Sequence, residues 1–400
     1  MRNTAESRVL RYFCVLGNGE GSWGKKTIRG IKFVYFRDSE RNYTYGKTTK
    51  EVKDKLKPKS LSLKSTKIDT LKSYGLNWLR TVKALELEAR TYDEYENIIE
   101  KRIGNHSIGS RQLHSITSDT WQSYINELSG KYALGTIKKT WNVIKQIVTY
   151  AEAKGDIHEG TLKLVRLPKE SNVAVKTKEI PFIDEADMNI LYNEAFHTIG
   201  SNNRCMYGNA SKLLVLIMYT GLRVSEACAL RWEDVNISNK TLRVQSSLSK
   251  VKERSTDRQS VKNKDGTTKY KIVSKAPKTG NSIRTIPLPQ RAVEILEYFE
   301  KLNPDHKPAD YICLTDAGKP YEKRQVERCL TRMLKNSSCN RKDYPPHSLR
   351  HGYGSILISK GADIKLVSEL LGHSDVTFTY NVYIGIFQED KRKAVNLLEQ

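Results

Sequence analysis

Cysteine is sparse in this chain and scattered. Cys14, Cys205, Cys228, Cys313, Cys329 and Cys339 form no CxxC pair, which argues against a zinc finger and against a disulfide scaffold. Cys228 lies in an apolar helical run and reads as a small core residue. Long apolar runs are missing too: none approaches the ~18 residues of a membrane span. The opening MRNTAESRVLRYF has no signal-peptide core, so the expected location is cytoplasmic, with no membrane partner. There is no internal repeat and no low-complexity run. Acidic residues are in deficit, 45 against 68 Lys+Arg, for a net charge of +23. An excess of that size points to a polyanion, and nucleic acid is the commonest one.

What is present divides into segments. Four hundred residues with 38% apolar content exceed one core, so two or three domains are expected. In SWGKKTIRGIKFVYFRDSERNYTYG, β-type residues alternate with Gly30, Gly46 and a polar turn, which reads as three short strands. A helix opens at Thr48 with Glu51 in capping-box position. The first 60 residues carry 15 basic and 6 acidic residues, and Arg29, Lys32 and Arg37 on the strands are candidates to grip phosphates. Residues 57–66 are a Pro/Ser/Lys linker. Four or five helices fit from about 68 to 156, with Thr91 as one N-cap. Ile137, Trp141, Ile144, Val148 and Ala151 form one helical face. Lys131, Lys138, Lys139 and Lys145 would then form a basic surface, with Lys138 and Lys139 candidate DNA contacts, while Trp78, Trp121 and Trp141 read as core. After a second linker, Asp184 caps a helix. An apolar helix (KLLVLIMY) breaks at Thr220-Gly221, a second helix SEACALRW follows, and a strand covers 242–246. The arm 249–284, with 11 basic and 3 acidic residues, reads as a hairpin lying on phosphates. Helices are expected at 290–302 and 325–335.

The chemistry concentrates in HSLRHGYGSILISKGADIKLVSELLGHSDVTFTYNVY, residues 347–383. His347 and Arg350 share a helix face. A short helix, 364–371, ends at Gly372, and His373 follows it. No carboxylate cluster suits Mg²⁺. His347 and His351 have the i, i+4 spacing of a zinc pair but lack a third ligand, so fixed cations are expected to replace a metal. A phosphodiester under attack gathers charge on its non-bridging oxygens. Two guanidiniums can neutralise it bidentately, and Arg223 and Arg350 are the candidates. A lysine on a turn can protonate the leaving oxygen: Lys278, with Lys275 competing. His347 and His373 would handle a proton and donate to phosphate. A phenol is a good nucleophile and leaving group, and Tyr380 and Tyr383 both follow His373.

Four ordered boxes, TGLRVSEACALRW, PKTGNSIRTIPL, HSLRHGYGS and LLGHS followed by TYNVY, resemble the tyrosine recombinase (phage integrase) family, most of all integrases of conjugative transposons and Gram-positive phages. The resemblance covers essentially the whole chain. It implies a multidomain, mainly α protein: a small α+β arm-binding domain at 1–60 (three-stranded sheet plus helix), an α-helical core-binding domain at 67–165, a linker at 166–180, and a mostly-α catalytic domain with a small β-sheet at 181–400. It implies Arg223 and Arg350 as phosphate clamps, Lys278 as general acid, His347 as acid/base, His373 as phosphate contact, Tyr383 as nucleophile and Glu226 as support for the first arginine. The implied activity is site-specific recombination that integrates and excises a mobile element through a 3′-phosphotyrosyl intermediate and a four-way junction. Neither metal nor ATP nor any other cofactor takes part. Four protomers, weakly associated off DNA, would act on core and arm-type sites of double-stranded DNA at the bacterial nucleoid, with an excision factor and a DNA-bending host protein as further partners. The tail, with Ala394, Leu397 and Leu398 on one side, would dock in cis or in trans. The alternatives are type IB topoisomerase-like religation and a non-catalytic DNA-binding regulator.

Overall fold

The computed structural model describes residues 22–28, 31–37, 43–56, 69–177, 181–199, 204–276, 283–380 and 382–383. The chain divides into two compact units, residues 1–78 with 98–175, and residues 79–97 with 176–400.

In the first unit, β1 (Ser22–Ile28), β2 (Ile31–Arg37) and β3 (Tyr43–Gly46) form an antiparallel sheet in that order. Trp23 faces Phe36 and Val34 faces Gly46 in register. The rings of Tyr35, Tyr43 and Tyr45 cluster on it, the cross-strand aromatic contact that β-rich sequence favours. Helix α1 (Thr49–Leu56) packs on β2 and β3 through the fully buried Val52. Its start is capped reciprocally: the Glu51 amide donates to Thr48 Oγ1 (3.2 Å) and the Lys47 amide to Glu51 Oε2 (2.8 Å).

The helical middle contains α2 (Leu71–Thr81), α3 (Ala89–Asn97), a π-helical turn at Ile98–Ile103, α4 (Ser118–Ser129) and the long α5 (Leu134–Lys154), which ends at the left-handed Gly155. Ile137, Ile144, Val148 and Ala151 are buried on α5 as their spacing requires, whereas Trp141 is only half-buried. Trp78 and Trp121 are core. Thr91 is not an N-cap: α3 begins at Ala89 and Thr91 lies in its first turn. Helix α3 belongs to the second unit rather than the first, and there it packs against the hairpin described below.

The second unit is built around an apolar helix. It opens with α6 (Glu185–Ala195), whose N-cap Asp184 accepts from the Asp187 amide (2.7 Å). The short pair β4 (Thr198–Ile199) and β5 (Arg204–Cys205) leads to α7 (Asn209–Thr220). Leu213 to Met218 of α7 are all buried. Such a helix has no solvent face, and α6 with three later helices surrounds it. Helix α8 is one turn only, Val224–Ala227, shorter than the run SEACALRW suggests. β6 (Val235–Asn236) and β7 (Thr241–Val244) precede β8 (Ser247–Lys252) and β9 (Tyr270–Lys275), and β10 (Arg284–Pro287) completes a β10-β7-β6 antiparallel sheet. β8 and β9 form the expected hairpin, which the bridges Arg254↔Ser260 and Lys262↔Thr268 carry outward. Helices α9 (Gln290–Leu302), α10 (Lys323–Asn336), α11 (Pro346–Ser359) and α12 (Ile364–Leu371) follow, and α9, α10 and α11 pack on α7. Among the described residues no helix is long and apolar enough to cross a membrane.

Candidate active site

The site grows from the end of α7. Gly221 takes a left-handed φ of 65° that stops the helix, and a Cβ there would meet the Tyr353 ring at 2.6 Å. The chain then turns so that Arg223 becomes the N-cap of α8. Glu226, three residues on, accepts from the Arg223 amide (2.9 Å) and from Arg223 Nη1 (2.6 Å). Arg284 of β10 donates Nη2 to the same carboxylate (2.9 Å) and Nε to the Leu370 carbonyl (2.7 Å). Glu226 is thus a buried anion between two guanidiniums. Burial pushes its carboxyl up, but Arg284, Arg223 and Arg350 together hold it down to about 2.

Helix α11 brings in the second arginine of the sequence motif. Arg350 is buried and donates Nη1 to the Gly221 carbonyl (2.6 Å) and Nη2 to the Leu371 carbonyl. Arg223 Nη2 donates to the Gly372 carbonyl (3.2 Å). The break after α7 and the cap after α12 therefore lock both arginines to the backbone. Burial and Arg223 lower Arg350 to about 9, which leaves it charged at neutral pH.

Three histidines adjoin these cations and all are held toward the neutral form. Burial, then Arg350 and Arg223, lower His373 to about 3, and its Nδ1 lies 2.8 Å from Thr379 Oγ1. Desolvation, then Arg350 and Lys323, lower His347, although its ring stays exposed. Burial and His347 lower His351 to about 4. His347 and His351 have ring centroids 6.0 Å apart.

Tyr383 and Tyr380 occupy different surroundings. Tyr380 is 46% exposed, whereas Tyr383 is fully buried against Ile358, Val367 and Leu371. The Tyr383 ring lies 5.8 Å from that of Phe182 and 6.2 Å from that of His351. Among the described residues its hydroxyl has no hydrogen-bond partner, and burial raises it to about 12. It sits over Gly354, where a Cβ would come within 2.2 Å of the hydroxyl oxygen.

Arg223, Glu226, His347, Arg350, His373 and Tyr383 are therefore gathered in one unit. Lys278 lies outside the described residues, as do Arg29 and the tail with Ala394, Leu397 and Leu398. Lys275 ends β9 and is ion-paired to Glu88 (3.0 Å). Lys32, Lys138 and Lys139 are exposed in the first unit, and the Arg37 guanidinium lies 5.6 Å from the Tyr43 ring centroid. Sequence reasoning missed Arg284. Its signal is the alternation Arg284, Ile286 along β10, continued by Leu288 just past its end, all buried: an arginine on an inward face must have an anion waiting.

The phage integrase family model matches residues 181–389, the segment that holds this whole cluster. The chain belongs to the phage integrase family. A phage integrase N-terminal SAM-like domain model matches residues 70–129. The integrase is 27% identical over 379 residues to a XerC-like tyrosine recombinase of Caldanaerobacter subterraneus subsp. tengcongensis, covering 90% of this chain and 91% of that one. It is 24% identical to the integrase of Staphylococcus phage L54a, over 87% of this chain and 98% of that one. Its fold resembles that of the Tn1549 transposon integrase solved with a circular intermediate DNA (TM-score 0.63, 20% identity, 79% of this chain and 95% of that one). It also resembles a lambda integrase dimer solved on a COC′ core site (TM-score 0.55, 16% identity, 78% and 95%). The integrase is a tyrosine recombinase, an enzyme of site-specific DNA recombination that cleaves and rejoins its DNA partner.

Proposed function

We propose that this integrase inserts and excises a mobile genetic element, with Tyr383 as the nucleophile. The observation that carries the assignment of roles is the Glu226 carboxylate held between Arg223 and Arg284, with Arg350 on the neighbouring Gly221 carbonyl. A fixed array of cations of this kind needs no reorganisation when charge develops on a phosphate.

The Tyr383 phenol attacks the scissile phosphorus and the 5′-oxygen leaves, giving a 3′-phosphotyrosyl bond and a free 5′-hydroxyl. Arg223 and Arg350 neutralise the non-bridging oxygens. With the Thr379 hydroxyl donating to Nδ1 of neutral His373, the proton sits on Nε2, where it can be donated to a phosphate oxygen. His347, exposed and held neutral, takes up the phenol's proton. Lys278 protonates the leaving oxygen. The pairing of Lys275 with Glu88 supports that choice over Lys275. The 5′-hydroxyl of a partner duplex then attacks the phosphotyrosine and exchanges strands through a four-way junction. The bond energy is conserved in the intermediate, so neither metal nor ATP takes part.

Four protomers act on two DNA sites. Residues 1–60 engage arm-type sites through Arg29, Lys32 and Arg37. Residues 67–165 grip the crossover site, with Lys138 and Lys139 on phosphates. Residues 181–400 carry the chemistry, and the tail docks on a neighbour. An excision factor and a DNA-bending host protein are further partners, and the site of action is the bacterial nucleoid. The test uses two labelled duplexes that each carry the element's end sequence. Hybrid products with exchanged flanks are expected, and religation of each duplex to itself alone would replace this reading with topoisomerase-like activity.

A further inference from the structure

Near the start of α7 (Asn209–Thr220) the molecule buries a charge that strand transfer does not use. Lys212 is 2% exposed. Its ammonium donates to the Ala195 carbonyl (2.7 Å) and reaches Cys205 Sγ at 2.7 Å. It lies 5.0 and 5.5 Å from the ring centroids of Phe196 and Tyr298. Among the described residues no carboxylate forms an ion pair with it. A buried ammonium without an anion carries a heavy desolvation penalty, and a thiolate in contact with Nζ is the group placed to offset it.

Cys205 differs from the other described cysteines in the way this requires. It is half-buried, whereas Cys228, Cys313, Cys329 and Cys339 are buried. Burial pushes its thiol up, but the Lys212 hydrogen bond, the Tyr207 backbone amide and the Lys212 charge outweigh that and bring it below its ordinary value. Burial alone lifts Cys228 to about 12, and burial is the main cause that takes Cys329 to the same value. Two features thus coincide at one residue: a cation against its sulfur and partial exposure of the residue. They are the conditions for a reactive thiol.

We propose that Cys205 and Lys212 form a thiolate–ammonium pair that reacts with hydroperoxides, a modification site separate from the strand-transfer cluster. The Cys205 sulfur attacks one peroxide oxygen and the O–O bond breaks. The sulfur is oxidised by two electrons to a sulfenic acid and the peroxide is reduced. The departing hydroxide, or alkoxide, takes a proton from Lys212 Nζ and leaves as water or alcohol. Lys212 ends neutral, so the buried pair loses both charges together and leaves no uncompensated ion.

The test treats the full-length protein with hydrogen peroxide in the presence of a cyclic 1,3-diketone that traps sulfenic acids, followed by peptide mapping. Label is expected at Cys205 well ahead of Cys228, Cys313 and Cys329. In Lys212→Met the labelling rate at Cys205 falls by roughly tenfold or more, because the sulfur loses the cation that favours its thiolate. Because that variant removes a buried group and can misfold, the native protein supplies a second readout: the pH dependence of iodoacetamide alkylation at Cys205, folded and in urea. The midpoint should be lower in the folded chain, although burial of the sulfur by itself would raise it. A folded midpoint equal to or above that in urea, or peroxide label spread equally over the cysteines, would overturn the proposal.

Discussion

Glu226→Gln is the perturbation that most directly probes how the arginines are held. The wild-type carboxyl sits near 2 rather than 4.5 because Arg284, Arg223 and Arg350 surround it. At about 1.4 kcal/mol for each tenfold change in acidity, that amounts to about 3 kcal/mol of stability. Because the folded-state value is depressed, this contribution is complete above about 4.5 and is lost as the pH falls toward 2. Glutamine keeps the shape of the side chain but leaves the buried Arg284 and Arg350 without their anion, a loss typically of about 3–5 kcal/mol for a broken buried pair. The assay is native-state hydrogen exchange at the amides of Leu213–Met218, compared between wild type and variant from pH 7 downward. A gap of about 3 kcal/mol at pH 7 is expected, and it should shrink between pH 5 and 2 as the wild-type carboxyl takes up its proton. The rate of DNA cleavage should fall as well, since Arg223 loses its Nη1 partner. A variant as stable as wild type at pH 7, or a gap that stays constant down to pH 2, would refute this account of the cluster.

Further outcomes follow from the same contacts. Tyr383→Phe should abolish covalent attachment to DNA without lowering thermal stability, because the hydroxyl removed is buried and unpaired; Tyr380→Phe should keep attachment. Gly354→Ala should cost about 1–3 kcal/mol through overpacking against that hydroxyl, and a double-mutant cycle with Tyr383→Phe should return part of it. Since His351 and His373 are held near 4 and 3, unfolding at mildly acid pH takes up protons, so urea midpoints should drop as the pH falls below about 6.5. No cleavage-rate inflection from His373 should appear at that pH. Arg254, which pairs with Asp93 and Glu96 in an almost buried cluster, should on replacement by Ala destabilise the hairpin by roughly 3 kcal/mol, read as faster amide exchange across Ser247–Lys252.

Much of the fold is legible where one local signal dominates. The face Ile137, Ile144, Val148, Ala151 gives α5, and the Thr48 and Asp184 caps give helix starts that the structure keeps. The run KLLVLIMY reads as an apolar helix, and the structure buries 213–218 of it, since it has no polar face to meet water. Local signals fail where tertiary contacts decide. SEACALRW has the composition for a longer helix, yet it yields one turn, because Glu226 is committed to Arg223 and Arg284 and the chain then enters a 3₁₀ turn at Trp232–Asp234. The π-helical turn at Ile98–Ile103 carries no sequence mark. At the site, residue types and their order place Arg223, His347, Arg350 and His373. What they do not give is the stowed position of the Tyr383 phenol against Phe182, which depends on packing between distant segments. Arg284 was readable in principle, but only once the inward face of β10 is known.

On the proposed mechanism Tyr383, among the chain's 21 tyrosines, becomes joined to DNA. A suicide substrate nicked beside the crossover position traps such a bond, and mass spectrometry of the digested adduct locates it. A single phosphotyrosyl peptide containing Tyr383 is expected, absent from the Tyr383→Phe protein. A phosphotyrosyl peptide at Tyr380, or an adduct that survives Tyr383→Phe, would contradict it.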